Sequence, residues 1–169
     1  MKNLNRKNLM ALAAALFALN IGATAFAAEI SAADAKAVAA KVVPASAEYV
    51  ATENDADEKD FDVKFYDSKE RTAYEVDVNK VTGEVREYKM ELKGYEGSPN
   101  AVLSVEDVKQ IVLKEYPDAV IKSVKLDVDK ETGLKEYDVK FSTKAVIGDY
   151  DINPENGQVV DKELKYIGK

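Results

Sequence analysis

Two stretches of this chain, ISAADAKAVAAKVVP at 30–44 and LSVEDVKQIVLKEYP at 103–117, spell one pattern twice. Ser31, Asp34, Lys36, Lys41 and Pro44 recur as Ser104, Asp107, Lys109, Lys114 and Pro117 at one offset (104 − 31 = 73). Asp62-Val63-Lys64-Phe65 returns as Asp138-Val139-Lys140-Phe141 (138 − 62 = 76), and Asp77, Asn79, Gly83 and Val85 return as Asp151, Asn153, Gly157 and Val159 (151 − 77 = 74). The offset changes only between these blocks, so insertions fall in connecting loops, where backbone change is least costly. Identity that persists across blocks of different periodicity means duplication of a whole folding unit. A unit of roughly 65 to 70 residues has a marginal core when alone, so two copies gain by packing together.

Within each copy the apolar period gives the elements. Ser104 is an N-cap with Asp107 at capping-box spacing, and Val105, Val108, Ile111, Val112 and Tyr116 share one helical face before Pro117 stops the helix. The first copy has the same cap and stop, but its face is Ala32, Ala35, Val38, Ala39 and Val43. Smaller side chains bury less apolar area, so the first unit is expected to be the weaker. The period then switches to two. Val124, Leu126 and Val128, then Tyr137, Val139 and Phe141, then Gly148, Tyr150 and Ile152, then 159–167 read as strands separated by Gly-containing turns at 129–133 and 153–157. In the first copy the strands fall at 48–53, at Phe61, Val63 and Phe65, at Tyr74, Val76 and Val78, and at 85–92, with a turn at 79–83. Strands joined by short turns make antiparallel meanders. The expected fold class is therefore α+β: two tandem repeats, each a helix packed on one face of its own four-stranded antiparallel meander sheet. Their expected limits are 28–92 and 103–169, joined by a Gly- and Pro-containing linker at 93–102.

Ahead of the repeats, Lys2, Arg6 and Lys7 precede an apolar run at 9–19, and Ala25-Phe26-Ala27 offers an A-x-A processing site. That is the pattern of an export signal over 1–27, cut between Ala27 and Ala28. The run breaks at Asn20 and Gly22, short of the about 20 residues a membrane span needs. Processing removes three basic residues and no acidic one, leaving 24 − 3 = 21 Lys and Arg against 31 Asp and Glu. A surface this acidic repels phosphate backbones and anionic lipid, which excludes nucleic acid as the expected partner, and with the leader removed no membrane span is expected. Cysteine is absent, so an exported chain relies on its core and hydrogen bonds.

The block Tyr74-Glu75-Val76-Asp77-Val78-Asn79-Lys80-Val81-Thr82-Gly83-Glu84-Val85 is similar to the strand-turn-strand signature of PepSY domains. The second copy keeps Asp151, Ile152, Asn153, Gly157 and Val159, with Gly148 at the tyrosine position and Asn156 at the threonine position. The resemblance covers nearly all of the chain after the leader. It implies an exported or envelope protein of the kind that restrains peptidases, and it brings no catalytic residue. The tandem layout is also similar to that of the β-lactamase inhibitor protein, whose disulfides this chain lacks.

Side-chain chemistry points away from catalysis. Without His or Cys there is no base to activate a Ser or Thr and no set of zinc ligands. The Ser31/Lys36 and Ser104/Lys109 pairs are five apart and do not share a helix face. Asp127, Asp129 and Glu131 alternate before Gly133, faintly like a calcium loop, but the sixth and twelfth positions hold Thr132 and Asp138 in place of Gly and Glu. The acidic run at 55–60 could gather a cation weakly, though solvated turns account for both segments. Neither a cofactor nor a metal is expected. Asp62, Lys64, Glu75 and Asp77, with Asp138, Lys140, Asp149 and Asp151, fall on outward strand positions. They form either a plain water-facing sheet with cross-strand charge pairs or an acidic recognition surface. Tyr137 and Tyr150 read as core, whereas Tyr95 in the linker has no strand partner and is a contact candidate. The expectation is a secreted, periplasmic or envelope binding module without enzymatic activity, its partner a protein such as a peptidase. The alternative is an acidic envelope protein with a structural or weak cation-binding role.

Overall fold

The computed structural model describes residues 29–54 and 58–168; the leader, its processing site at Ala27 and Ala28, and Asp55 and Asp57 of the acidic run lie outside them. The element order is α1 (Ala32–Ala39), β1 (Glu48–Glu53), β2 (Asp60–Asp67), β3 (Thr72–Asn79), β4 (Val85–Leu92), α2 (Val105–Glu115), β5 (Val120–Val128), β6 (Lys135–Ser142), β7 (Val146–Ile152) and β8 (Val159–Tyr166).

Both helices start in complete capping boxes. The Ser31 and Ser104 hydroxyls accept from the amides of Asp34 and Asp107, whose carboxylates accept from the serine amides in return. The two serine hydroxyls also donate to these carboxylates at 2.6 Å, and those bonds, with the ones from the serine amides, hold the carboxyls below the usual range. After Ala39 the chain tightens into three-residue turns, Lys41 N–H to Val38 C=O and Val42 N–H to Ala39 C=O. So α1 is shorter than its counterpart, although Val43 still reaches the core. On α2, Val108 and Val112 are buried, while Val105 at its start is exposed.

The expected pair of separate α+β units does not form. All eight strands join one antiparallel sheet in the order β1-β2-β3-β4-β8-β7-β6-β5, and with two short helices the chain is mostly β. The correction has a physical cause. A four-stranded meander leaves its last strand with unpaired backbone N–H and C=O groups, and β4 and β8 satisfy each other's. Each outer edge, β1 and β5, instead carries a bulge, at Val50 and at Lys122, which twists the edge away from further pairing.

The seam has a definite symmetry. Lys89 pairs with Glu163, its own counterpart in the other copy (89 + 74 = 163). Tyr88 pairs with Leu164 and Met90 with Lys162, so the partners exchange around that point. The two repeats are thus related by a pseudo-twofold axis through the Lys89–Glu163 pair, normal to the sheet, and both helices lie on one face.

That face carries the core. One row of cross-strand neighbours runs Phe65, Tyr74, Met90, Lys162, Tyr150, Val139 and Val124 through seven strands, and the next includes Val63, Val76, Tyr88, Leu164, Gly148 and Phe141. Apart from Gly148 and Lys162, these residues join Ala35, Ala39, Val108 and Val112 in one core cluster, Met90 and Val124 packing against it partly buried. Two of the second copy's substitutions reshape the core face of its sheet. Gly148 stands where the first has Tyr74, and the Phe141 ring lies over its backbone, edge-on to Tyr150 (5.1 Å, 88°) and tilted against Tyr116 (5.2 Å, 40°). Lys162 stands where the first has Tyr88; its ammonium donates to both carboxylate oxygens of Glu115 at 2.9 Å and lies 4.6 Å from the centre of the Tyr150 ring.

The chain between the repeats is stitched to the second. Ser98 and Lys135 exchange backbone hydrogen bonds, the Ser98 hydroxyl donates to Glu155 at 2.8 Å, and Tyr137 donates to the Leu103 carbonyl at 3.0 Å. Gly97 needs its positive φ of 113°, and a Cβ there would fall 2.7 Å from Leu134 Cβ.

Candidate functional site

With both helices on one face, the opposite face of the sheet is uncovered across its whole width. Period-two alternation along the strands sends Asp62, Lys64, Glu75 and Asp77 to this face, and likewise Asp138, Lys140, Asp149 and Asp151, while Phe61, Val63, Phe65, Val139 and Phe141 turn to the core. Register gathers these eight residues with others into three cross-strand rows. The middle row, Lys64, Glu75, Lys89, Glu163, Asp149 and Lys140, is mixed in sign and crosses the pseudo-twofold axis. It is laced by ion pairs from Lys64 to Glu53 (2.7 Å), Lys89 to Glu75 (3.1 Å) and Glu87 (3.3 Å), and Lys140 to Asp149 (2.5 Å) and Asp138 (3.3 Å).

The flanking rows are nearly all acidic. In the first repeat Glu53, Asp62, Asp77 and Glu87 stand side by side, and Lys165 continues the row across the seam. In the second, Asp138, Asp151 and Asp161 stand side by side, and Glu91 continues the row. Neighbouring strands are about 4.8 Å apart, and like charges directly opposite repel. Burial in the sheet surface raises the Asp77 and Asp151 carboxyls to about 7, helped by Asp62, Glu87 and Glu75 around Asp77 and by Glu136, Asp161, Asp149 and Asp138 around Asp151; Lys89 pulls Asp77 back. Burial also raises Asp62 and Asp161. Asp77 Oδ1 and Asp138 Oδ1 are buried acceptors with no hydrogen-bond donor among the described residues.

Oxygen atoms of Asp138, Asp149 and Asp151 lie within 4.8 Å of one another, and with Asp161 and Glu163 they line a small hollow. Oxygen-only ligands suit a hard cation such as calcium. Lys140 already bonds two of the three, so a cation would have to displace its ammonium. The turn segment weighed as a calcium loop is committed otherwise: Asp129 Oδ1 accepts from the amides of Glu131 and Thr132 and from the Thr132 hydroxyl, which holds its carboxyl below the usual range.

Tyr95 is half-buried in the connection between the repeats, near Glu136, Asp151 and Glu155. Its hydroxyl is enclosed without a hydrogen-bond partner among the described residues, and burial, reinforced by Glu136, Asp151 and Glu155, pushes it up to about 12. Reading the sequence missed Glu53, Glu87, Glu91, Asp161 and Glu163. The Asp161-x-Glu163-x-Lys165 alternation in β8 is the signal that could have found the last two. A larger groove opens in the first repeat around Ala73, between Val50 and Tyr66 and the mixed charges of Lys64, Lys89, Lys93, Glu75 and Glu91.

Among the described residues no helix is long and apolar enough to cross a membrane. No curated protein matches the chain. Two solved structures align over much of it: a protein assigned as a lipoprotein from Clostridium difficile 630 (20% identity, 71% of this chain and 84% of that one, TM-score 0.33), and a BLIP-like protein from Bacteroides fragilis (13% identity, 81% and 88%, TM-score 0.30). At those scores neither superposition carries an argument about fold or function. The family model described as "Peptidase propeptide and YPEB domain" matches twice, over 29–89 and 102–163, once per repeat and across most of the chain. The chain belongs to the PepSY family, as a tandem of two copies.

Proposed function

We propose that this chain is an exported binding module without enzymatic activity, and that it restrains a peptidase or another envelope protein through its open sheet face. The observation that carries the reading is an uncovered, predominantly acidic surface eight strands wide, on a chain with no His or Cys to run nucleophilic chemistry. The double match to a family described by peptidase propeptides supports the choice of partner. On this reading residues 1–27 are the export signal, 28–92 and 103–169 the repeats and 93–102 the connection, and the destination is the periplasm, the envelope or the exterior. A stable complex needs about 800 Å2 from each side, which two adjoining repeats supply more readily than one. Complementarity requires a basic patch on the partner.

The test is binding of the processed chain to an immobilised peptidase panel. Reversing Glu75, Asp77, Asp149 and Asp151 to Lys together should slow association about 10- to 100-fold at low salt and flatten its salt dependence. An affinity indifferent to those four changes and to Tyr95→Ala moves the site elsewhere, and turnover of any substrate overturns the reading. A second reading, weak cation binding in an envelope-structural role, has one observation in its favour, the Asp138, Asp149 and Asp151 cluster. Calorimetry with calcium, on wild type and Asp149→Asn, separates the two.

A further inference from the structure

The two flanking rows of the open face change chemistry as they cross the seam. The first, acidic through Glu53, Asp62, Asp77 and Glu87, passes Lys165 and continues in the second repeat as Ile147, Ser142 and Val120. The second, acidic through Asp138, Asp151 and Asp161, passes Glu91 and continues in the first repeat as Ala73 and Tyr66, with Glu48 at the edge. Ile147 is the counterpart of Ala73 (73 + 74 = 147) and Ser142 of Tyr66 (66 + 76 = 142), so the axis that relates the acidic halves also relates the apolar ones. The face is quartered, with acidic quarters on one diagonal and apolar quarters on the other. Both apolar quarters meet solvent. Val50, beside Tyr66 on the groove around Ala73, is 60% exposed, and Val120 and Ile147 are 57% and 53% exposed.

That pattern rejects a second copy of the chain. Two copies stacked face to face about a twofold axis in the sheet plane set acidic quarters either on apolar ones or on each other. The first arrangement strips water from carboxylates without supplying a partner, and the second repels. A different protein fits if its apolar and basic groups lie on crossed diagonals. The carboxylates are available to it. Among the described residues no ion pair reaches Asp77, Asp151 or Asp161, whereas Lys89 is held by Glu75 and Glu87, Lys93 by Glu91 and Lys165 by Glu163.

The spacing narrows the fit. From Ala73 on β3 to Ile147 on β7 is three strand steps through β4 and β8, and their rows lie four residues apart along β4 (91 − 87 = 4), so about 20 Å separates them. An extended chain covers that distance in about six residues. Glu87 and Asp161 flank the line on opposite sides, each about 7 Å from it, which a lysine or arginine side chain can reach.

We propose that the open face binds an extended segment of another protein along its apolar diagonal. One apolar side chain of the segment sits over Ala73 beside Tyr66 and Val50, and a second sits against Ile147 and Val120. Lys or Arg residues between them face the two acidic quarters. The inference rests on the reading of this face as a binding surface and deepens it by stating what kind of segment is bound.

The experiment selects displayed random peptides, about twelve residues long, on the immobilised processed chain. Enriched sequences should carry two large apolar residues about six apart with Lys or Arg between them. A synthetic peptide of that pattern should shift the amide resonances of Tyr66 and Ala73 together with those of Ser142 and Ile147. Its affinity should fall about fivefold on Tyr66→Ser and again on Ile147→Ala, changes that copy the counterpart residues Ser142 and Ala73. Replacing its basic residues by Glu should abolish binding. Failure to enrich, enrichment of acidic or singly anchored sequences, or shifts confined to one corner overturns the proposal. So does a peptidase that loses affinity on the four charge reversals but ignores Tyr66→Ser and Ile147→Ala, although the binding reading then stands. Selected peptides of the expected pattern beside a panel without a binder support the proposal and remove the peptidase as partner.

Discussion

Replacing Gly148 by alanine tests the packing logic of the second repeat. The added Cβ would lie within 2.9 Å of Phe141 Cε2 and closer still to Cζ and Cε1, against the about 3.5–4.0 Å of comfortable carbon contact. The ring must retreat by more than about 1 Å. It has nowhere to go, because it is 1% exposed and boxed by Tyr116 and Tyr150. Overpacking of this kind costs about 1–3 kcal/mol, offset by the roughly 0.5–1 kcal/mol that alanine gains over glycine in a strand. The crowding is severe enough to place the net loss near the upper end, at about 2 kcal/mol, or about 5–8 °C in the thermal midpoint of a chain this size. Denaturant unfolding of a double-mutant cycle with Phe141→Leu isolates the contact. In the leucine background Gly148→Ala should be close to neutral, giving a coupling of about 2 kcal/mol. An unchanged midpoint for Gly148→Ala alone, or equal costs in both backgrounds, would refute the reasoning.

Other outcomes follow from the same structure. Lys162→Ala strands Glu115 in a half-buried site and should cost about 1–3 kcal/mol, whereas the Lys162→Tyr/Glu115→Val pair, which copies Tyr88 and Val42 of the first repeat, should stay within about 1.5 kcal/mol of wild type by urea unfolding. Hydrogen exchange should protect residues 105–116 about tenfold or more over 32–43, because α2 is longer and buries Val108 and Val112 where α1 buries Ala35 and Ala39. Equal protection would mean that the shared core levels the two helices. Ser104→Ala should cost about 1 kcal/mol through loss of the capping box, read by the same urea titration.

Local structure was legible wherever periodicity and punctuation agreed. The capping serines, the Gly83, Gly133 and Gly157 turns with left-handed glycines, and even the weakly patterned β1 carry their signals within a few residues. The pairing of β4 with β8 carries none. VREYKMEL and VVDKELKY read as charged, amphipathic strands, and their lysines resemble the devices that protect a free edge. What decides that they pair is the mutual satisfaction of two edges distant in sequence. The same blindness shaped the candidate site. Asp62, Asp77, Asp138 and Asp151 follow from alternation inside one hairpin, but the completion of each acidic row by Glu87 and Lys165, or by Asp161 and Glu91, needs the register across the seam. Lys162 misleads for another reason: a lysine in an alternating strand reads as solvated, and here Glu115 on α2 and the Tyr150 ring make a place for its ammonium on the core face.

A residue on a twofold axis of a true homodimer meets only itself. Had the ancestral single repeat paired with a second copy through this strand, the axial position would have set lysine against lysine or glutamate against glutamate. Fusion into one chain lifts that ban, and Lys89 opposite Glu163 is a contact that two identical subunits cannot make. Tethering also makes the encounter intramolecular, so the partner strand is present at an effective concentration fixed by the ten residues of 93–102 and not by expression level. The seam is in that sense a dimer interface released from symmetry, free to acquire different chemistry at its two ends.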